Sequence, residues 1–335
     1  MTTAEPPTIF DVLPGQQMPV SEVSPMLSSM WSSQFDPKLG AASEFRASQM
    51  NIILHLGLKT SPEEAKERFD AAIEFGQKYP CRIVVLCPMG RERSDRLLQG
   101  KIFSMCYIGE SLRDQCCVEA VILGYPTREA GFLSSQVSIW LENDLPTYHW
   151  FNRIPAERIT QMHMDFVKRC RRVIYDSTVE MEDANDLTSI EWPRPEGVID
   201  LAWARLLPVR QSLGQHLSSI EPARLIDGLQ KVEARAVATH KGEAANLVKW
   251  CRECLTSCTK DSQLDVEFVT GNCPDEHALE LEWTYSNGHH LLWTLNAEGH
   301  GAQITADFGL GRTSAPMHVE LLSGEKALAE AMFFA

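Results

Sequence analysis

The run Cys81-Arg82-Ile83-Val84-Val85-Leu86-Cys87 constrains this chain more than any other segment. It is apolar almost throughout and β-branched in the middle. As a strand it needs cover on both faces, since a strand with one face in water alternates apolar and polar residues. The residues before it supply such cover. Ser61-Pro62-Glu63-Glu64 reads as a capping box with proline at the first helical position. Behind it Ala65, Phe69, Ala72, Ile73 and Gly76 recur at helical spacing, which predicts a helix over about 62–79 with one buried face. Strands are expected at about 47–56, 101–108, 115–124 and 172–175, with helices near 128–142 and 155–168. This alternation predicts an α/β layer sandwich over residues 46–190.

Residues 1–45 are rich in Pro, Ser, Gln and Met and show little periodicity, so a flexible arm is expected there. The character changes again over 180–197, which is acidic and contains Trp192-Pro193-Arg194-Pro195. That sequence continues neither a helix nor a central strand, and the domain boundary is placed here. Residues 191–335 then predict an α+β domain with an antiparallel sheet. Its elements are a helix over about 201–217 kinked at Pro208, a strand near 230–236 and a helix near 242–258. Strands follow near 264–270, 279–285, 290–295, 302–308 and 317–321, then a terminal helix. Asn287-Gly288 between two of these strands is a strong hairpin signal.

Apolar residues make up 44% and charged residues 23%, values that exclude wholesale disorder and fibrous repeats. With 31 basic against 45 acidic residues the net charge is −14. Such a surface repels phosphate backbones and anionic leaflets, so neither nucleic acid nor membrane is an expected partner. The first basic residue is Lys38, and no apolar stretch approaches the ~20 residues that span a bilayer. A cytoplasmic location is therefore expected, with the ten cysteines mostly reduced.

The chain has no Walker phosphate loop, no G-x-S-x-G elbow and no H-E-x-x-H, and no cofactor is expected. Gly309-Leu310-Gly311 begins like a dinucleotide fingerprint. Ser314 replaces its third glycine, however, and a tight turn between strands is the better reading. Cys251, Cys254 and Cys258 form the sharpest cluster. Together with Leu247 they repeat every three or four residues, the pattern of a core-facing stripe. Redox-responsive thiols, or a zinc site completed by Cys273, are the other readings. Adjacent Cys116 and Cys117 alternate faces on a strand, as do His289 and His290 after the hairpin turn. Lys168-Arg169-Cys170-Arg171-Arg172 is either a helix C-terminus favoured by the macrodipole or a receiver of phosphate or an acidic surface.

The most unusual segment is Asp200-Leu201-Ala202-Trp203-Ala204-Arg205-Leu206-Leu207-Pro208-Val209-Arg210. Asp200 can cap a helix. Trp203, Leu206, Arg210, Leu213 and Leu217 share one helical face, so an arginine enters an apolar stripe. Either Arg210 pairs at the domain junction, or the stripe ends in an interface, where Trp and Arg concentrate binding energy.

In this segment the chain resembles the OpcA-type glucose-6-phosphate dehydrogenase assembly proteins of bacteria. The resemblance rests on Asp200-Leu201-Ala202-Trp203 with Arg205, Leu206, Pro208 and Arg210. Pro80-Cys81-Arg82 and Leu145-Pro146 followed by Trp150 support it, and it runs over about residues 45–335. It implies a two-domain, non-catalytic protein that binds glucose-6-phosphate dehydrogenase and favours its active oligomer, an allosteric activator in the oxidative pentose phosphate pathway. Asp200, Trp203, Arg205 and Arg210 are then the motif or interface candidates, and Cys251, Cys254 and Cys258 the candidate redox thiols. Two alternatives come from other classes. One is a sugar-phosphate enzyme, such as a lactonase or isomerase, that receives phosphate on the arginines of 91–96 or 168–172. The other is a thiol-based redox or metal-sensing module.

Overall fold

The computed structural model describes residues 7–32, 48–90, 98–108, 115–180, 187–259, 264–274 and 276–335. It contains two compact units, the first made of residues 1–175, 182–199 and 328–335 and the second of 176–181 and 200–327. The chain therefore passes between the units more than once.

The first unit is built on an eight-stranded sheet. Its elements in order are α1 (Ile9–Val12), β1 (Gln16–Pro19), α2 (Val20–Ser32), β2 (Met50–Leu56), α3 (Pro62–Lys78), β3 (Cys81–Met89) and β4 (Gln99–Ile108). There follow β5 (Gln115–Pro126), α4 (Leu133–Ser138), β6 (Thr147–Asn152), α5 (Ala156–Arg158), α6 (Met164–Arg169), β7 (Arg172–Tyr175) and β8 (Val198–Asp200). The strand order is β1-β4-β5-β3-β2-β6-β7-β8. From β5 to β7 all neighbours are parallel, with Leu54 of β2 opposite Val85 of β3 and Trp150 of β6. Every residue of β2 and β3 is buried, as the apolar run requires. Ile53, Val84, Leu86, Val121 and Leu123 pack against Val23, Leu133, Val137 and Phe166 from α2, α4 and α6. Helix α3, with Ser61 Oγ accepting from the Glu64 amide at 3.1 Å, lays its apolar stripe on the same strands.

Two expectations need correction here. Residues 9–32 are not an unordered arm but form α1, β1 and α2. Strand β1 pairs antiparallel with β4, and Ile9, Phe10, Leu13, Val23 and Leu27 are buried, so tertiary pairing overrides a weak local signal. Secondly, β6 was not anticipated at all.

The second unit contains α7 (Ser177–Glu180), α8 (Leu201–Arg205), α9 (Leu207–Leu217), α10 (Pro222–Ile226), β9 (Leu229–Ala236), α11 (Lys241–Ser257) and β10 (Glu267–Asn272). It continues through β11 (His277–Tyr285), β12 (His290–Asn296), β13 (His300–Asp307), β14 (Thr313–Glu320) and the start of α12 (Gly324–Phe333), whose remainder from Leu328 belongs to the first unit. The sheet order is β10-β9-β11-β12-β13-β14. It is antiparallel except where β10 runs parallel to β9, because α11 is a crossover between them. Leu281, Trp283, Trp293, Leu295 and Ile304 face a core closed by Leu213, Leu247 and Cys251 of α9 and α11. On β9 and β11, Glu233, Arg235, Glu280 and Glu282 alternate with these core residues and pair with one another. The helix expected at 201–217 is broken at Leu206, since Pro208 offers no amide to the turn before it. Gly309 and Gly311 occupy the turn between β13 and β14 in the left-handed region, at φ 80° and 96°.

Candidate functional site

The segment that carries the resemblance opens α8. Asp200 Oδ1 accepts from the amides of Ala202 at 2.9 Å and Ser177 at 3.0 Å, and Oδ2 accepts from Asn246 Nδ2 at 2.6 Å. Burial pushes this carboxyl above its ordinary range, against the pull of those hydrogen bonds. One turn on, Arg205 grips Asp176 with both terminal nitrogens, at 2.9 and 2.8 Å, and donates through Nε to Glu243. Thr178 Oγ1 donates to Glu243 Oε2 at 2.8 Å, and His240 Nδ1 stands 3.8 Å from the same oxygen.

All the carboxylate oxygens of Asp176, Asp200 and Glu243 thus accept a hydrogen bond. Burial works against the charge of Arg205, but the neighbouring Asp176 and Glu243 carboxylates outweigh it and fix the guanidinium as a cation. Burial likewise opposes the charge on Glu243, yet His240 and Arg205 hold that carboxyl below its usual range. Gly242 lets α11 approach this network: a Cβ there would lie 2.4 Å from Thr178 Oγ1. Asp200 and Arg205 are therefore interior groups that join α7, α8 and α11.

Trp203 and Arg210 are placed differently. Both are half-buried, and the Arg210 guanidinium lies 3.6 Å above the indole ring while Nη2 donates to the Trp203 carbonyl at 3.4 Å. Cys254 is exposed and within electrostatic reach of Arg210. Burial, Cys258 and Glu253 raise its thiol, and Arg210 offsets part of that rise. Trp203, Arg210 and Cys254 thus form one surface across α8, α9 and α11.

The three helix cysteines are not a uniform core stripe. Cys251 is in the core, where burial pushes its thiol far up, whereas Cys254 is exposed and Cys258 half-buried. The buried stripe of α11 runs instead through Ala244, Leu247, Val248, Cys251 and Leu255. Among the described residues no group of three or more His, Cys, Asp or Glu side chains is arranged to hold a metal ion. Cys106 on β4 is disulfide-bonded, an exception among cysteines expected to be mostly reduced, and Cys81, Cys87, Cys170, Cys251, Cys254, Cys258 and Cys273 remain thiols. The side chains of Cys116 and Cys117, and residues 91–97, lie outside the described set. Lys168 and Arg169 end α6, and Arg172 Nη1 donates to the Ala331 carbonyl at 2.6 Å.

A second cluster, in the first unit, was missed in the sequence. His55 of β2, His149 of β6, His163 and Tyr125 of β5 are all buried. His149 Nε2 lies 3.3 Å from His55 Nδ1, and His55 Nε2 lies 2.8 Å from the Tyr125 hydroxyl. The ring of His163 sits edge-on to His55 at 4.5 Å. His163 reaches this position because the helix from Ala156 to Arg169 contains a π turn at Ile159–His163. Burial is the main reason that His55, His149 and His163 are held neutral, with His163 lowered to about 4. The run Thr147-Tyr148-His149-Trp150-Phe151-Asn152 behind Pro146 is rich in aromatic residues, the signal by which β6 could have been found.

Residues 72–191 match a family described as the glucose-6-phosphate dehydrogenase subunit N-terminal domain. A putative OxPP cycle protein OpcA from Synechocystis sp. is 21% identical over 223 residues, which are 65% of this chain and 46% of that protein. The match thus spans about half the length of the curated relative. Among solved structures, a super-repressor mutant of Gal80p from Saccharomyces cerevisiae covers 84% of this chain and is covered to 84%, at TM-score 0.40 and 8% identity. An oxidoreductase from Sinorhizobium meliloti covers 85% of this chain and is covered to 88%, at TM-score 0.38 and 10% identity. Neither likeness is close enough to inform the chemistry. The resemblance to the OpcA-type assembly proteins, by contrast, stands on both the family match and the cyanobacterial relative.

Proposed function

We propose that this chain is a non-catalytic, cytoplasmic partner of glucose-6-phosphate dehydrogenase that binds the enzyme and favours its active oligomer. The observation that carries the reading is the family match over residues 72–191, seconded by the OxPP cycle relative. A feature of α3 supports the absence of dehydrogenase chemistry in the chain itself. In open α/β sheets a dinucleotide lays its pyrophosphate on the helix that follows the strand where the order reverses. Here that helix is α3, and its first turn already carries Glu63 and Glu64. Glu64 accepts from Arg153 Nε at 2.6 Å and Asn152 Nδ2 at 3.2 Å, so the start of this helix carries fixed negative charge, which disfavours a pyrophosphate. Among the described residues no helix is long and apolar enough to cross a membrane.

Activation by a protein without chemistry of its own needs only unequal affinity for two enzyme states. A tenfold preference is worth about 1.4 kcal/mol. The Trp203–Arg210 surface is the proposed contact, since a guanidinium stacked on an indole is a pre-formed anchor of the kind that dominates interfaces. Sedimentation of the chain mixed with the dehydrogenase of the same organism tests this. A complex should form at micromolar concentration. Trp203→Ala and Arg210→Ala should each weaken it about tenfold or more while leaving the melting temperature within a few degrees. Separate sedimentation of the two proteins would overturn the reading.

A further inference from the structure

The order of the parallel strands reverses at β2, with β3 and β5 on one side and β6 and β7 on the other. Outside the carboxyl ends at such a reversal is where open α/β sheets bind ligands. The chain leaves β2 at Gly57 and β6 at Arg153, and beside these exits lies a cavity of about 190 Å³. Three irregularities of the backbone meet there. Arg153 adopts the left-handed region, φ 56°, as the one non-glycine among the described residues to do so. A Cβ on Gly57 would lie 1.9 Å from the Arg153 carbonyl oxygen, so only glycine permits the approach. The π turn brings His163 to the wall, beside Arg158 of the preceding turn. Such departures from regular backbone concentrate at functional sites.

The polar groups are as unusual. His149 Nδ1 and His163 Nδ1 are buried without a hydrogen-bond partner among the described residues, and the rings lie among Phe151 and Phe166. A core built for stability alone would use apolar residues in these places. Instead the chain His149–His55–Tyr125 ends at the cavity wall. It has two neutral settings. In one the Tyr125 hydroxyl donates to His55 Nε2; in the other His55 donates to Tyr125, whose proton is then available to the cavity. The phenol can therefore serve a ligand oxygen as acceptor or donor.

We propose that this cavity binds a short-chain 2-oxo or 2-hydroxy carboxylate. Arg158 and Lys59 line it and supply positive charge on a chain of net charge −14, which suits a carboxylate. Tyr125 meets the second oxygen, and Leu58 and Ile154 offer an apolar wall to a short carbon chain. The volume is below that of the usual cofactor pocket, roughly 300–1,000 Å³, so the ligand is small. A phosphate is disfavoured, because the first turn of α3 carries Glu63 and Glu64, whose negative charge opposes a second anion there.

Calorimetric titration of the full chain tests the proposal, with 2-oxobutyrate, 2-hydroxybutyrate, butyrate, inorganic phosphate, glucose 6-phosphate and NAD as separate probes. One of the first two should bind with Kd below about 1 mM, and butyrate at least about tenfold more weakly, since it leaves Tyr125 unpaired. Phosphate, glucose 6-phosphate and NAD should give no saturable heat. Arg158→Gln and Tyr125→Phe should each weaken the oxo- or hydroxy-acid about tenfold. Arg158 gives the second reading in case loss of the phenol disturbs the fold. The proposal is overturned by no saturable binding of either acid, by butyrate or a phosphate binding as tightly, or by an Arg158→Gln chain that folds and binds unchanged. No dehydrogenase enters this titration, so it can fail without touching the assembly reading.

Discussion

At the level of single residues, the first unit holds a buried cluster that is kept neutral and the second a buried cluster that keeps its charge. In the first, three histidines are kept neutral by burial, which makes folding oppose protonation. The unfolded chain takes up these protons near the ordinary histidine value of about 6.5, whereas the folded one does so only further down, at about 4 for His163. The unfolded state therefore binds more protons in that interval. Stability should be full above about pH 6.5 and decline as the pH falls toward about 4, by about 3 kcal/mol for His163 alone. Urea midpoints measured from about pH 7.5 to about pH 5 should fall, and His163→Phe should flatten the slope by about one proton. A midpoint that ignores pH over this range would contradict the assignment. In the second unit the charge is kept. Removing Arg205 leaves Asp176 and Glu243 buried and uncompensated, so Arg205→Met should cost about 3–5 kcal/mol in chemical unfolding. A loss below about 1 kcal/mol would show that the network is solvated.

Element by element, what could be read in advance followed from local pattern. The strand Cys81–Met89, the helix Pro62–Lys78 and the hairpin around Asn287-Gly288 announce themselves through continuous apolarity, capping and turn chemistry. Strand β6 does not. It is buried on both faces, so nothing alternates, and aromatic and polar side chains interrupt the apolar run that marked β3. The cluster of His55, His149 and His163 was illegible for a related reason, since three distant segments meet only through parallel pairing and a π turn. Asp200 and Trp203 were legible as a motif, but their neighbours do not reveal that one side chain faces inward and the other forms a surface with Arg210.

The same scale carries two expectations. The N-terminal elements are tied to the sheet by β1 and by Lys101, whose ammonium donates to the carbonyls of Phe10, Asp11 and Leu13 at 2.6, 3.2 and 2.8 Å. A chain beginning at Ala41 should therefore melt more than about 5 °C lower, and an unchanged melt would show that the pairing contributes little. On α11, Cys254 should react with a thiol reagent well before Cys251, whose thiol is buried and strongly protonated. Equal rates would place both on the same side of the helix.

At the scale of the whole molecule, the parallel strands of the first unit follow the order in which open α/β sheets reverse direction at β2. The first turn of the helix that would seat a pyrophosphate carries Glu63 and Glu64. The proposed partner rests on the resemblance to the glucose-6-phosphate dehydrogenase subunit family and to the OpcA relative. The central claim is that this partner is activated by the chain through binding alone. It is tested most directly by glucose-6-phosphate dehydrogenase activity at sub-saturating substrate, titrated with the purified chain. The account predicts a saturable rise whose midpoint equals the dissociation constant of the complex, with no turnover of glucose 6-phosphate by the chain alone. Activity that stays flat once the complex has formed, or turnover by the isolated chain, would contradict it.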